Sequence, residues 1–163
     1  MTMLADPGTM STSPDWVPED YTRSLAQLAG TRSREGRAAI LDAMAGQAGQ
    51  AAALTFGQGT EDSGSDTLAW HETATLLRQL AAAERGLVLT AEDCLDASWS
   101  AWADLAEATT AAEHGAAAAA VLATYQRPSA EGDSAGPVRA PAILRLRAAA
   151  AACTGAYPGG TSR

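Results

Sequence analysis

Apolar residues recur at three- and four-residue steps along most of this chain, and the commonest of them is alanine. Ala69, Thr73, Leu76, Leu80 and Ala83 form one such stripe, widened by Trp70, Ala74 and Leu77. Leu95, Trp99, Trp102, Ala106 and Thr109 form another. A period between three and four turns one face of a helix toward a core. Alanine, about a quarter of the chain, is the best helix former because it loses no side-chain entropy on entering a helix. No alternating segment is long enough to read as a strand. The expected fold is therefore all-α, a compact bundle of about five helices. At 163 residues the chain has the length of one domain. The expected organisation is a disordered tail over 1–15, a single helical domain over 16–157 and a disordered tail over 158–163.

The same alanine limits the core. Leu, Ile, Val and Phe together fall well under a fifth of the residues. Small faces let helices approach closely, but each contributes little buried area. Modest stability and reinforcement by a partner chain are the expectation.

Five helices can be placed. Val17-Pro18-Glu19-Asp20 reads as a start, with proline in the first turn and acids complementing the helix dipole, and Gly30 as a stop. A second helix runs from near Ser33 to about Leu54, with Ile40, Leu41, Met44, Ala48, Ala51 and Ala52 on one face. Gly46 and Gly49 weaken it, fray it or mark a close crossing. A loop spans 57–65. The third helix is capped by Asp66 and ended by Gly86, with Leu87-Val88-Leu89 packing the turn. The fourth starts at Thr90-Ala91-Glu92-Asp93, which has the form of a capping box with Asp for Glu. It continues toward Tyr125, kinked or split at His114-Gly115, and stops before Pro128. A second loop covers 129–138. The fifth helix runs from Arg139 or Pro141 to Cys153 and is closed by Gly155.

The formal net charge of -8 disfavours wholesale attraction to nucleic acid or anionic membranes. Lysine and asparagine are both absent, and all 11 basic residues are arginine. Lysine and asparagine share adenine-rich codons, so their joint absence points to a GC-rich bacterial genome. Residues 1–15 lack a basic segment followed by an apolar run, so no secretory signal is expected there. The longest apolar run, 116–123, is too short to span a membrane. Cys94 and Cys153 lie far apart without CxxC spacing, which suits reduced thiols and a cytoplasmic location.

Four surfaces could carry chemistry. Asp93, Asp96, Ser100, Asp104, Glu107 and His114 lie near one face of the fourth helix, where carboxylates and histidine could hold a metal inside a bundle. Di-metal bundles place Glu and His three apart on facing helices, whereas here His71 adjoins Glu72 and Glu113 adjoins His114. A solvated face is the competing reading. His71-Glu72 begins like a zincin motif, but Thr75 stands where the second histidine belongs. His71, Glu72, Asp104, Glu107 and His114 are the metal or small-molecule candidates. Arg23, Arg32, Arg34 and Arg37 form the basic segment. The run from Leu25 to Arg34, with Ala26 and Gly30 four apart before a polar turn, resembles a helix-turn-helix. That resemblance implies arginines presented to phosphates or base edges, although Gly36 sits where an apolar residue belongs. Trp99 and Trp102 most simply anchor the bundle, and an exposed Trp would be a binding hot spot.

No phosphate-loop lysine motif, nucleophile elbow or reactive-cysteine signature occurs, so no catalytic residue and no cofactor is expected. The favoured function is a non-enzymatic helical interaction module that binds a protein partner or itself. The interaction candidates are Arg23, Arg32, Arg34, Arg37, Trp99 and Trp102. The alternatives are a DNA-binding accessory protein using the Arg23–Arg37 segment, and a bundle that binds a metal or small molecule.

Overall fold

A computed structural model describes residues 17–58, 63–87, 99–126 and 138–157. Among them there is no strand and there are six helices: α1 (Glu19–Ala29), α2 (Arg34–Gln58), α3 (Ser63–Glu84), α4 (Trp99–Glu107), α5 (Ala111–Gln126) and α6 (Ala140–Ala156). The all-α expectation holds, with six helices rather than five. The two tails, the capping sequence at 90–93 and the apolar Val88-Leu89 lie outside the described residues. So do most of the second loop, Cys94, Asp93 and Asp96.

The extra helix comes from a break that the sequence reading placed six residues too late. The chain leaves helix at Ala108–Thr110 and not at His114-Gly115. Thr110 caps α5, its Oγ1 accepting from the Glu113 N–H at 3.1 Å. The Glu113 carboxylate in turn accepts from the Thr109 N–H at 2.9 Å and from the Thr109 hydroxyl at 3.0 Å. This reciprocal arrangement satisfies donors that a helix start leaves open. Gly115 sits inside α5, with the Thr154 methyl at ordinary contact distance from where a Cβ would stand.

Ser33 caps α2 by accepting from the Gly36 N–H at 3.0 Å. An added Cβ at Gly36 would meet Ser33 Oγ and Thr31 Cγ2 at 2.8 Å, so a larger residue there would displace the capping hydroxyl. Gly46 and Gly49 face open space, so they mark no close crossing, and the helix continues past them to Gln58. Helix α3 starts at Ser63, ahead of Asp66, and ends on Gly86 at φ +77. There the Gly86 N–H donates to the Ala83 carbonyl at 2.9 Å and the Leu87 N–H to Ala82 at 3.0 Å, a double closure that needs a left-handed residue. Leu87 is exposed rather than packed over the turn. Helix α6 runs through Gly155 to Ala156.

Helices α2 and α3 form an antiparallel hairpin, fixed at one end by Arg37 with Glu84 and at the other by Thr55 with Thr67. Helix α1 packs on α2 and α6; α6 also packs on α3 and α5; α4 packs on α3 and α5. Leu28, Leu41, Met44, Trp70, Leu77, Leu80, Trp102, Leu105 and Leu146 are fully buried, and alanines fill the space between them. Ala38, Ala45, Ala48 and Ala52 have no exposed surface, so α2 meets its neighbours along a small-residue face that permits short interaxial distances. Trp102 finds a polar partner despite its burial. Its indole N–H donates to the Tyr125 hydroxyl at 2.8 Å, which donates to Gln79 Oε1 at 3.3 Å, tying α4, α5 and α3.

Candidate functional site

The strongest concentration of chemistry lies inside the bundle, at the end of the hairpin where α2 begins and α3 ends. Glu84 is fully buried, and both of its oxygens accept hydrogen bonds. Oε1 accepts from Arg37 Nε–H at 2.8 Å and Oε2 accepts from His114 Nε2–H at 2.6 Å. Arg37 and His114 are themselves fully buried. The Arg37 guanidinium also donates to the carbonyls of Thr31 at 3.1 Å and Arg32 at 2.7 Å, closing the turn between α1 and α2. On its far side, His114 Nδ1 lies 2.6 Å from Thr154 Oγ1, and that hydroxyl donates to the Ala150 carbonyl at 3.0 Å. One carboxylate thus joins α2, α3, α5 and α6. Burial alone would push the Glu84 carboxyl up, but hydrogen bonds and charges from His114 and Arg37 outweigh it and hold the group below its ordinary range.

Arg34 completes the cluster from the surface side. Its Nε stands 3.8 Å from Glu84 Oε1. Its terminal nitrogens donate to the carbonyls of Ala83 at 2.8 Å and Ala108 at 3.0 Å, and more loosely to Leu105 at 3.3 Å and Ala106 at 3.4 Å. These are the last carbonyls of α3 and α4, neither of which carries a basic residue in its final turn. One guanidinium therefore caps two helix C-termini and meets the negative ends of both dipoles. Tyr157 roofs the cluster. Its ring lies 4.7 Å from His114 between centroids, and the Arg37 guanidinium stands 4.6 Å from its centre. Burial, then the nearby Glu84 charge, raises the Tyr157 hydroxyl. The fully buried Cys153 thiol is raised in the same order of causes and is held as an inert thiol.

The sequence candidates separate in space. His114 enters the buried cluster, whereas His71 is exposed and Glu72 pairs with Arg139 at 2.8 Å. Asp104 and Glu107 line an open cleft of about 440 Å³ with Glu113, on the surface between α4 and α5. Hydrogen bonds from Thr109 and Thr110 hold the Glu113 carboxyl below its ordinary range. Among the described residues, no group of three or more His, Cys, Asp or Glu is placed to hold a metal ion. Of the four arginines, Arg23 is exposed and pairs within α1 with Asp20 at 2.7 Å, and Arg32 is exposed. Arg34 and Arg37 turn inward as described. Trp102 is core, and the Trp99 side chain lies outside the described residues.

Sequence reasoning missed Glu84 and Thr154 altogether. The available signal was Glu84 itself, an acid in the last turn of a helix, where the dipole disfavours negative charge unless cations compensate it. No helix among the described residues is long and apolar enough to cross a membrane. No family model matches the chain, and neither the curated proteins nor the solved structures contain a match to it.

Proposed function

We propose that the chain is a non-enzymatic helical interaction module that docks onto protein through the open end of the α2–α3 hairpin, with a second copy of itself as the partner to test first. The observation that carries this reading is the exposure of Phe56. It is the only phenylalanine in the chain, and 74% of its surface is accessible. Leu54 and Leu68 are exposed as well. Their neighbours Thr55 and Thr67 meet at 2.9 Å, which places all three apolar residues at the same end of the hairpin. A chain with so few large apolar residues gains nothing in its own core from leaving three of them in water, whereas an interface does.

The placement of the polar groups supports the same reading. His114, Glu84 and Arg37 are bonded to one another under Tyr157, and Arg34 is bonded to helix-end carbonyls. A DNA-binding role for this segment would have to detach Arg34 and Arg37 from those partners.

The test is light scattering of the full chain across a concentration series, beside Phe56→Ser and Leu68→Ser variants. The expected result is a mass that rises at high micromolar concentration in the parent and stays monomeric in the variants, with helicity unchanged. A parent that remains monomeric throughout rejects the self-docking reading.

A further inference from the structure

A second surface is a groove of about 270 Å³ between α1 and α6. Its walls are mostly apolar, with Val17, Leu25, Pro141 and Leu144 among them. Leu144 is 58% exposed, a large apolar side chain open to water at the groove. Thr22 lines it too, and so do two further polar residues, Tyr21 and Arg145.

Tyr21 and Arg145 are in unusual states for a protein interior. The Arg145 guanidinium carbon stands 3.5 Å from the centre of the Trp70 ring. The guanidinium donates to Thr73 Oγ1 at 3.3 Å, and among the described residues no carboxylate forms an ion pair with it. Asp66 acts on it only at longer range, and burial lowers its pKa by disfavouring the charge. A partly buried arginine ordinarily finds a carboxylate, because desolvating an uncompensated charge is expensive. Tyr21 is 3% exposed, yet its hydroxyl has no hydrogen-bond partner, and burial pushes that group up to about 12. A phenol held that firmly in its protonated form is a donor and not an anion. The groove thus offers a planar cationic fork and a nearby hydroxyl donor beside an apolar wall.

We infer that the α1–α6 groove binds a small amphiphilic carboxylate, its headgroup on Arg145 and Tyr21 and its short acyl or aryl part against Val17, Leu25 and Leu144. A guanidinium offers its N–H groups in a planar fork that carboxylates accept in pairs, and Arg145 commits one of its nitrogens to Thr73. The size suits a ligand smaller than a typical drug-sized molecule. This inference is independent of the hairpin-tip reading, since it uses none of the same residues.

Octanoate is the probe, with octanol as its uncharged counterpart, titrated calorimetrically into the full chain. Saturable one-to-one binding of octanoate is expected, with octanol weaker by about tenfold, the loss of one charge-assisted contact. Arg145→Met should abolish the preference for the acid, and Tyr21→Phe should weaken octanoate by a few fold while leaving octanol unchanged. Far-ultraviolet circular dichroism checks that each variant is folded, and Tyr21→Phe keeps the test valid if Arg145→Met is not. No saturable octanoate binding, equal binding of octanol, or unaltered octanoate binding by Tyr21→Phe overturns the proposal.

Discussion

The two ends of the α2–α3 hairpin solve the same problem with opposite chemistry. At one end Arg37, Glu84 and His114 are buried and joined at 2.6–2.8 Å. At the other, Thr55 and Thr67 share a neutral hydroxyl contact at 2.9 Å, and Leu54, Phe56 and Leu68 stand in water. The closed end gathers four helices around one carboxylate, while the open end joins only the two helices of the hairpin to each other. A buried ion cluster adds little net stability over an apolar core, but losing one member leaves the others uncompensated. The closed end is therefore the intolerant end, and the open end is where the surface is free to serve something else.

The comparison breaks most readily at Glu84. Glu84→Ala should lower unfolding free energy by about 3–5 kcal/mol, because the buried Arg37 guanidinium and His114 imidazole lose their shared carboxylate. Urea denaturation followed by circular dichroism measures it, and a loss comparable to that of Thr67→Val would show that the ends do not differ. The pH dependence follows from the depressed Glu84 carboxyl. It contributes stability that is fully present above its ordinary value of 4.5 and is lost as pH falls through the lower folded value. The melting temperature should fall with acidification below pH 4.5, and Glu84→Gln should start lower and fall less steeply. At the open end, Thr67→Val should lower stability by only about 1 kcal/mol, since Thr55 keeps its bond to the Ala52 carbonyl. Native-state hydrogen exchange sharpens the contrast without mutation: amides flanking Arg37 and Glu84 should exchange more slowly than those flanking Thr55 and Thr67. The smallest effect has the opposite sign. Gly46→Ala should stabilise by about 0.5–1 kcal/mol, because the position is helical and an added Cβ meets nothing.

The sequence carried the helices far better than the cluster. Periodicity located α1 to α3 and α6 within a few residues, because each buries a face whose spacing is written locally. The α4–α5 break was also written locally, in Thr110-Ala111-Ala112-Glu113, but a longer alanine stripe masked it. Gly115 looked like the weak point because glycine costs helix stability, yet a reciprocal cap outweighs one glycine. The Glu84 cluster depends on residues 47 and 30 positions from their partners, and no local pattern encodes such pairings. Arginine spacing suggested a surface segment, whereas burial of Arg37 follows from where α3 ends.

The shared carboxylate has a consequence for how such a chain can change over time. Arg37, Glu84, His114 and Thr154 come from four helices, and replacing any one alone takes a partner from its neighbour in the sequence of bonds. Stepwise drift at any one position passes through a weakened protein, so the four should be inherited together or exchanged together. In a set of related chains they would appear as a co-varying quartet, while Phe56 and Leu68 would be free to follow whatever binds them.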